Sequence, residues 1–281
     1  MHKTSLLIIT LLVIWACCNF GFAQTPTRAG ERMVLTINNV KYPFRWCPAG
    51  TFVMGSLENE AERESNETQH KVTLTHGFWL LETPVTQAMW VGVMGSKCGA
   101  FQDNNFPVNC VSWTDCQAYI EKLNALKSAP QGYRFSLPTE SQWEYACRAG
   151  TTTPFHFGNA LNGDKANCTG HFPYGTEVKG KSLDRTSEVG SYPTNAWGLY
   201  DMHGNVWEWC LDWKGDDLRG DMTDPTGPST GSERVLRGGS WCSSAAACRS
   251  AYRYGCDPLD SHWVVGFRLA LVHESQVQAI N

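Results

Sequence analysis

The sequence predicts a single loop-rich domain in which short strands and two well-signalled helices are joined by much irregular backbone. Three observations carry that expectation. Strand-like alternation sets in at Met33, and Ser112 and Thr139 each open a helix with a capping box. Twelve Trp and 26 Gly then point to a core built partly from indoles and linked by turns. The 281 residues would allow two small domains, but no internal repeat, low-complexity run or boundary divides them.

The elements follow in order. MVLTINNV, YPFRW and GTFVMGS (within 33–56) are strand-like runs separated by turn residues, and Asn38-Asn39 suits a hairpin. Glu58 to Gln69 reads as a charged, solvated loop. VTQAMWVGVM, after Pro84, is a short helix candidate. Ser112 pairs with Asp115 in a capping box, and Cys116, Tyr119, Ile120 and Leu123 keep helical spacing. Thr139 pairs likewise with Gln142, and that helix is expected to stop at a left-handed Gly150. Trp143 shares its face with Ala146 and Cys147. From Thr151 to Asn195 no period appears, a length of irregular chain that usually signals binding or a stabilising ion. Trp207 and Trp209 are expected on opposite sides of a strand, with Glu208 between them needing a partner.

Residues 1–23 join a basic start to an apolar run and a small-residue exit, the pattern of a signal sequence. Two exits compete. Ile14-Trp15-Ala16-Cys17 is an imperfect lipobox that would leave a lipidated Cys17, and Gly21-Phe22-Ala23 would release a soluble chain. The first is favoured, because a cysteine ending an apolar run is rare by chance. The expected location is therefore outside the cytoplasm, as an outer-membrane or cell-surface lipoprotein, with secreted or periplasmic protein as the alternative. Residues 24–32 form a tether, 33–273 the domain and 274–281 a tail.

Composition excludes some classes. With 42% hydrophobic and 18% charged residues the chain is a folder, and a net charge of −4 offers nucleic acid no basic face. Ten cysteines follow residue 23, an even number that export would allow to pair, though sequence assigns no partners. No CxxC pair and no zinc-type Cys/His spacing is present, so buried thiols or structural disulfides are the expectation.

Several motifs then line up: GTFVMGS, GFWLLETPVTQAMW, FPVNCVSW, FSLPTESQWEYACRAGT, NAWGLYDMHGNVWEWCLDW, RVLRGGSW and GFRLAL. In this order they resemble the formylglycine-generating-enzyme (sulfatase-modifying factor) domain family, a branch of the C-type-lectin fold, from about residue 45 to 272. The resemblance implies an α+β fold, with two helices on small twisted antiparallel sheets and much irregular structure. It also implies a structural calcium ion held by the side chains of Asp201 and Glu208 and the carbonyls of Gly204 and Val206. The alternative is a carboxylate pair held by backbone N–H groups and arginine.

Members that make formylglycine carry a C-x4-C pair for copper(I) shortly after GGS. Here Cys242 and Cys248 are spaced C-x5-C and fall out of register, so no catalytic residue or catalytic cofactor is expected; the alternatives are a copper-dependent oxidase of the formylglycine-generating type and a non-variable cell-envelope lipoprotein. The segment 237–268 instead resembles the variable region of proteins diversified by retroelements, a treponemal variable lipoprotein among them. RGGSW, CRSAYR, Pro258 and GFR match the framework of that region. Cys242, Ser243, Ser244, Ala247, Tyr254, Gly255, Cys256, Asp257, Leu259, Asp260, Ser261, His262, Trp263 and Val264 fall where related domains have asparagine-rich, variable positions. Tyr254 and Trp263 beside small residues form a paratope-like mixture. The expected partner is a protein or cell-surface ligand, bound by a monomer that meets the membrane through its lipid anchor alone.

Overall fold

A computed structural model describes residues 26–215 and 220–277. The signal segment with Cys17, and residues 278–281 of the tail, lie outside the described residues. No described helix is long and apolar enough to cross a membrane.

The chain builds three small sheets. β1 (Arg32–Ile37) and β2 (Val40–Cys47) make the expected hairpin. Asn38 and Asn39 close it at φ 49° and 62°, the left-handed pair that a two-residue turn with the right twist requires. β5 (Phe78–Leu81), β12 (Ala270–His273) and β6 (Tyr133–Ser136) complete that sheet in the order β1-β2-β5-β12-β6. β3 (Gly50–Met54), β4 (His70–Leu74) and β8 (Met222–Thr223) form a second. The third runs β10 (Tyr254–Cys256), β9 (Arg234–Arg237), β7 (Trp207–Trp213), β11 (Val265–Phe267). The expected tether is docked at its end: Gly30 N–H donates to the Trp46 carbonyl at 2.9 Å, and Trp46 N–H to the Glu31 carbonyl at 2.9 Å.

The helices start where their caps predict. α1 (Gln87–Met94) is capped by Thr86, α2 (Trp113–Ala125) by Ser112 and α3 (Glu140–Arg148) by Thr139, the last two with complete capping boxes. The end of α3 differs from expectation. Ala149 takes the left-handed cap at φ 45° and Gly150 follows at φ 93°, so the reversal is spread over two residues. Between α3 and β7 the described chain has no regular helix or strand, only turns and isolated bridges, yet it is not loose. Phe155, Leu161, Cys168 and Tyr174 form a core of their own with Ala245, Ala246 and Cys248.

One expectation is reversed. Trp207 and Trp209 lie on the same side of β7 and join the same core cluster, because side chains two apart along a strand share a face. Glu208 alone points the other way. Both its oxygens accept from Arg268, at 2.7–3.1 Å, and one also accepts from Trp143 Nε1 at 2.7 Å.

That pair belongs to a buried lattice of arginines and glutamates. Glu144 takes Arg148 and Arg237, and Glu140 takes Arg253 at 2.6 and 2.7 Å. Arg249 is held by Glu67 at 2.8 Å and Glu60 at 2.6 Å. The Glu58–Gln69 loop is therefore not simply solvated, since Glu67 is buried against Arg249. Breaking such a pair leaves an uncompensated buried charge. Arg268→Ala should accordingly destabilise the domain by about 3–5 kcal/mol in urea unfolding, whereas Leu259→Ala at the exposed surface should change it by less than about 0.5 kcal/mol.

A second prediction concerns acid. His203 is buried, its Nδ1–H donates to the Cys248 carbonyl at 2.7 Å, and its Nε2 accepts from His156 N–H at 3.1 Å. A proton on Nε2 would set donor against donor. Burial and the neighbouring His156 push the ring down to about 3, from an ordinary value near 6.5. A histidine with a lowered folded value contributes stability above the unfolded value and loses it as pH falls. The unfolding free-energy difference between the parent and His203→Gln should therefore shrink as pH is lowered from about 6.5 towards 4.

Candidate ligand-binding surface

The segment 237–268 leaves the centre of the third sheet at β9, wanders, and returns to it at β11. Its first turn requires glycine. Gly238 and Gly239 stand at φ 95° and 74°, and a Cβ on Gly239 would come within 2.4 Å of Cys248 Sγ. Ser240 N–H then donates to Ser243 Oγ at 3.0 Å, and Thr169 N–H to the Ser243 carbonyl at 2.9 Å. A 3-10 turn at Ala246–Cys248 leads to Arg249 and Arg253, both buried in the lattice. Beyond β10 the chain is tied to a neighbouring loop. Cys110 N–H donates to the His262 carbonyl at 3.0 Å, and Asn109 Nδ2 to that of Trp263 at 2.6 Å.

Burial sorts this segment into two classes. Framework residues Arg237 to Trp241, Ala245, Ala246, Cys248 to Ala251, Arg253 and Val265 to Arg268 are buried, with Tyr252 and Pro258 part-exposed. Of the fourteen positions expected to vary, Gly255 alone is buried. It sits mid-β10, facing inward, where a Cβ would meet Lys214 and Glu233, and this corrects its expected place on the surface. Cys242, Tyr254, Asp257, Leu259, Asp260, Ser261, His262 and Trp263 are exposed, while Ser243, Ser244, Ala247, Cys256 and Val264 are half-buried. Ala247, Cys256 and Val264 rest on the main core at their inner edges.

The exposed aromatics stand on buried ones. Tyr254 lies 5.4 Å from the Trp207 ring and Trp263 5.2 Å, edge-on, from Trp241, which in turn meets Phe101 at 6.0 Å. Trp207, Trp241 and Phe101 thus support the surface without having been expected there. Trp207 was recognisable only as core, and Phe101 lies more than a hundred residues away in sequence.

The cysteines divide by environment. All ten described cysteines are free thiols. Cys242 is exposed, whereas Cys248 is buried and its thiol is pushed up by the adjoining Cys168 thiol and by burial. Cys242 and Cys248 therefore present very different sulfurs. The sequence has no zinc-type Cys/His spacing, yet folding brings Cys256, Asp260 and His262 together, with their candidate ligand atoms all within 4.8 Å. The spacing C-x3-D-x-H matches no regular template, and only the turn at Pro258 closes it.

The four residues implied for calcium lie on one curled segment, with Asp201, Gly204 and Asn205 at positive φ and Gly204 too close to the Asn167 carbonyl for any Cβ. Asp201 accepts from Gly190 N–H at 2.7 Å and, among the described residues, has no ion-pair partner. Burial lifts its carboxyl to about 6, opposed by the Gly190 bond and the Arg268 charge and helped by the nearby Glu208 charge. Glu208 would have to share its oxygens with Arg268 and Trp143. Two carboxylates with backbone carbonyls suit a hard divalent ion.

Comparison with known proteins bears on the whole arrangement. The sulfatase-modifying factor enzyme 1-like domain matches residues 43–272. The formylglycine-generating enzyme of Mus musculus is 34% identical over 216 residues, 73% of this chain but 54% of its own length. Bos taurus supplies a relative named inactive C-alpha-formylglycine-generating enzyme 2, 34% identical over 215 residues, 73% of this chain and 64% of its own. The chain thus spans only about half to two thirds of these relatives. Among solved structures, Treponema denticola variable protein 1 superposes with a TM-score of 0.74 at 27% identity, covering 88% of this chain and 99% of its own. The α+β fold is accordingly the C-type-lectin-like one of these neighbours, and the chain belongs to the sulfatase-modifying factor enzyme 1-like domain family.

Proposed function

We propose that this chain is an exported binding protein whose C-terminal loops, within 242–264, are diversified to take varied ligands, most of them proteins. The observation that carries the reading is the division of 237–268 into a buried, ion-paired frame and thirteen positions that reach the surface. Loops set on a rigid frame can change side chains without unfolding the domain. Tyr254 and Trp263 offer large rigid contact area at low entropic cost, and Ser243, Ser244 and Ser261 offer adaptable hydrogen bonding. Likeness to a protein titled variable supports the same reading. Lipidation at Cys17 would place this surface outside the cell.

A copper-dependent oxidase is the second reading, favoured by relatives named formylglycine-generating enzyme. Against it stands the buried Cys248, whose thiol meets Cys168 more closely than the exposed Cys242. Calcium at Asp201, Gly204, Val206 and Glu208 is proposed as structural, stiffening the segment that enters β7.

Three measurements test these readings. Sequencing the flanking DNA should find a near-copy of the 237–268 coding segment, with adenines at the differing positions, beside a reverse transcriptase; absence of both removes the case for diversification. Simultaneous replacement of Tyr254, Leu259, Ser261 and Trp263 should leave the thermal midpoint within a few degrees, about what surface changes cost in a domain this size. A large loss of stability would mean that these loops are structural. Calcium should raise the midpoint of the parent over that in chelator, and Asp201→Asn should abolish the difference.

A further inference from the structure

We infer that Cys256, Asp260 and His262 form a binding site for a zinc-type divalent metal ion, on the outer edge of the third sheet. Each offers a different ligand atom: a thiol sulfur, a carboxylate oxygen and the Nε2 of an imidazole. Sulfur, nitrogen and oxygen in one set suit zinc and its neighbours and disfavour calcium or magnesium.

The spacing decides the matter more sharply than the composition. Bonds of about 2.0–2.3 Å at tetrahedral angles put neighbouring ligand atoms about 3.3–3.7 Å apart. Cys256 Sγ lies 3.6 Å from Asp260 Oδ2, and His262 Nε2 lies 3.9 Å from the same oxygen. The remaining edge, within 4.8 Å, needs a closure of no more than about 1 Å, a small rotation of two surface side chains.

The backbone beneath is already fixed. Leu259 N–H takes Asp257 Oδ1 at 2.9 Å and Asp260 N–H takes the Asp257 carbonyl at 3.0 Å, closing a turn around Pro258. This occupies the turn's other acid and leaves Asp260 to face the metal. Thr114 N–H, in the first turn of α2, donates to the Pro258 carbonyl at 3.3 Å and Cys110 N–H, before that helix, to that of His262 at 3.0 Å, anchoring both ends of the loop. Cys256 itself is held in register opposite Arg234. A preorganised backbone lowers the ordering cost that defeats most surface clusters.

Asp260 and His262 side chains are 56% and 51% exposed, so a fourth coordination position opens to solvent. Water would fill it in the free protein, and a histidine or carboxylate from a bound partner could replace that water. The inference rests on these three side chains alone and holds whether or not the surrounding positions are diversified.

Cobalt(II) is the probe, titrated into the reduced full chain. The expected result is one equivalent bound with a sulfur-to-cobalt charge-transfer band and tetrahedral d–d absorption, both displaced by zinc. Cys256→Ser should remove the charge-transfer band, and His262→Ala should weaken binding by roughly tenfold or more. Cys242→Ser, at the exposed thiol outside the cluster, should change neither. No band at stoichiometric metal, or a band that survives Cys256→Ser, overturns the site. Circular dichroism of each variant confirms that the comparison is between folded proteins, and His262→Ala gives an independent answer if Cys256→Ser does not fold.

Discussion

Five buried arginines and their glutamates constrain this fold more than any apolar contact does. Arg148, Arg237, Arg249, Arg253 and Arg268 are each almost wholly withdrawn from solvent, which is tolerable only because every guanidinium finds a carboxylate and carbonyls. Arg268 links β11 and β12 to Glu208 on β7, and also donates to the Leu81 and Tyr200 carbonyls. Arg249 reaches the loop around Glu60 and Glu67, and Arg253 reaches Glu140 at the start of α3. In a domain with this little regular structure, such bonds fix relative positions that helix and sheet packing would otherwise have to set. Their geometry is directional, so a shift of one element leaves a charge unpaired, and alternatives are penalised heavily.

The same constraint explains why so irregular a surface is possible. Four of the five arginines lie within 237–268, between or beside the exposed positions. Each short loop is therefore pinned close to its tip by the frame, with the Asp257 side chain holding the turn around Pro258. Trp207 and Trp241 add an apolar floor beneath Tyr254 and Trp263. A loop supported in this way can present almost any side chain at its tip, which is the physical requirement for a surface that varies while the fold does not.

Local chemistry was legible in the sequence and distant chemistry was not. The capping residues Ser112 and Thr139 and the Asn38-Asn39 turn act within four residues, so their signals stood in the chain. The division of 237–268 into framework and loop positions was readable only through the resemblance to the variable-region proteins, and nothing in the spacing alone reveals that Gly255 is buried. Glu67 looked like one charge in a solvated run, since nothing nearby reveals a partner 182 residues away. Trp207 and Trp209 were set on opposite faces by a misapplied period; a two-residue separation keeps side chains together. The aromatic floor and the Cys256–Asp260–His262 cluster depend on contacts across turns, for which no spacing rule exists.

The cysteines show what a shared scaffold leaves free. Cys248 occupies a framework position, buried in the satellite core with Cys168 and Phe155, and its sulfur closes against the backbone at Gly239. Cys242 and Cys256 occupy exposed or half-exposed positions where no packing demands sulfur. A Cβ on Gly239 would come within 2.4 Å of Cys248 Sγ, so this thiol fills the space beside the RGGS turn. Among the described thiols, Cys256 is the one that lies beside a carboxylate and an imidazole, with ligand atoms within 4.8 Å of one another. Cys248 thus serves packing, while Cys242 and Cys256 keep contact with solvent.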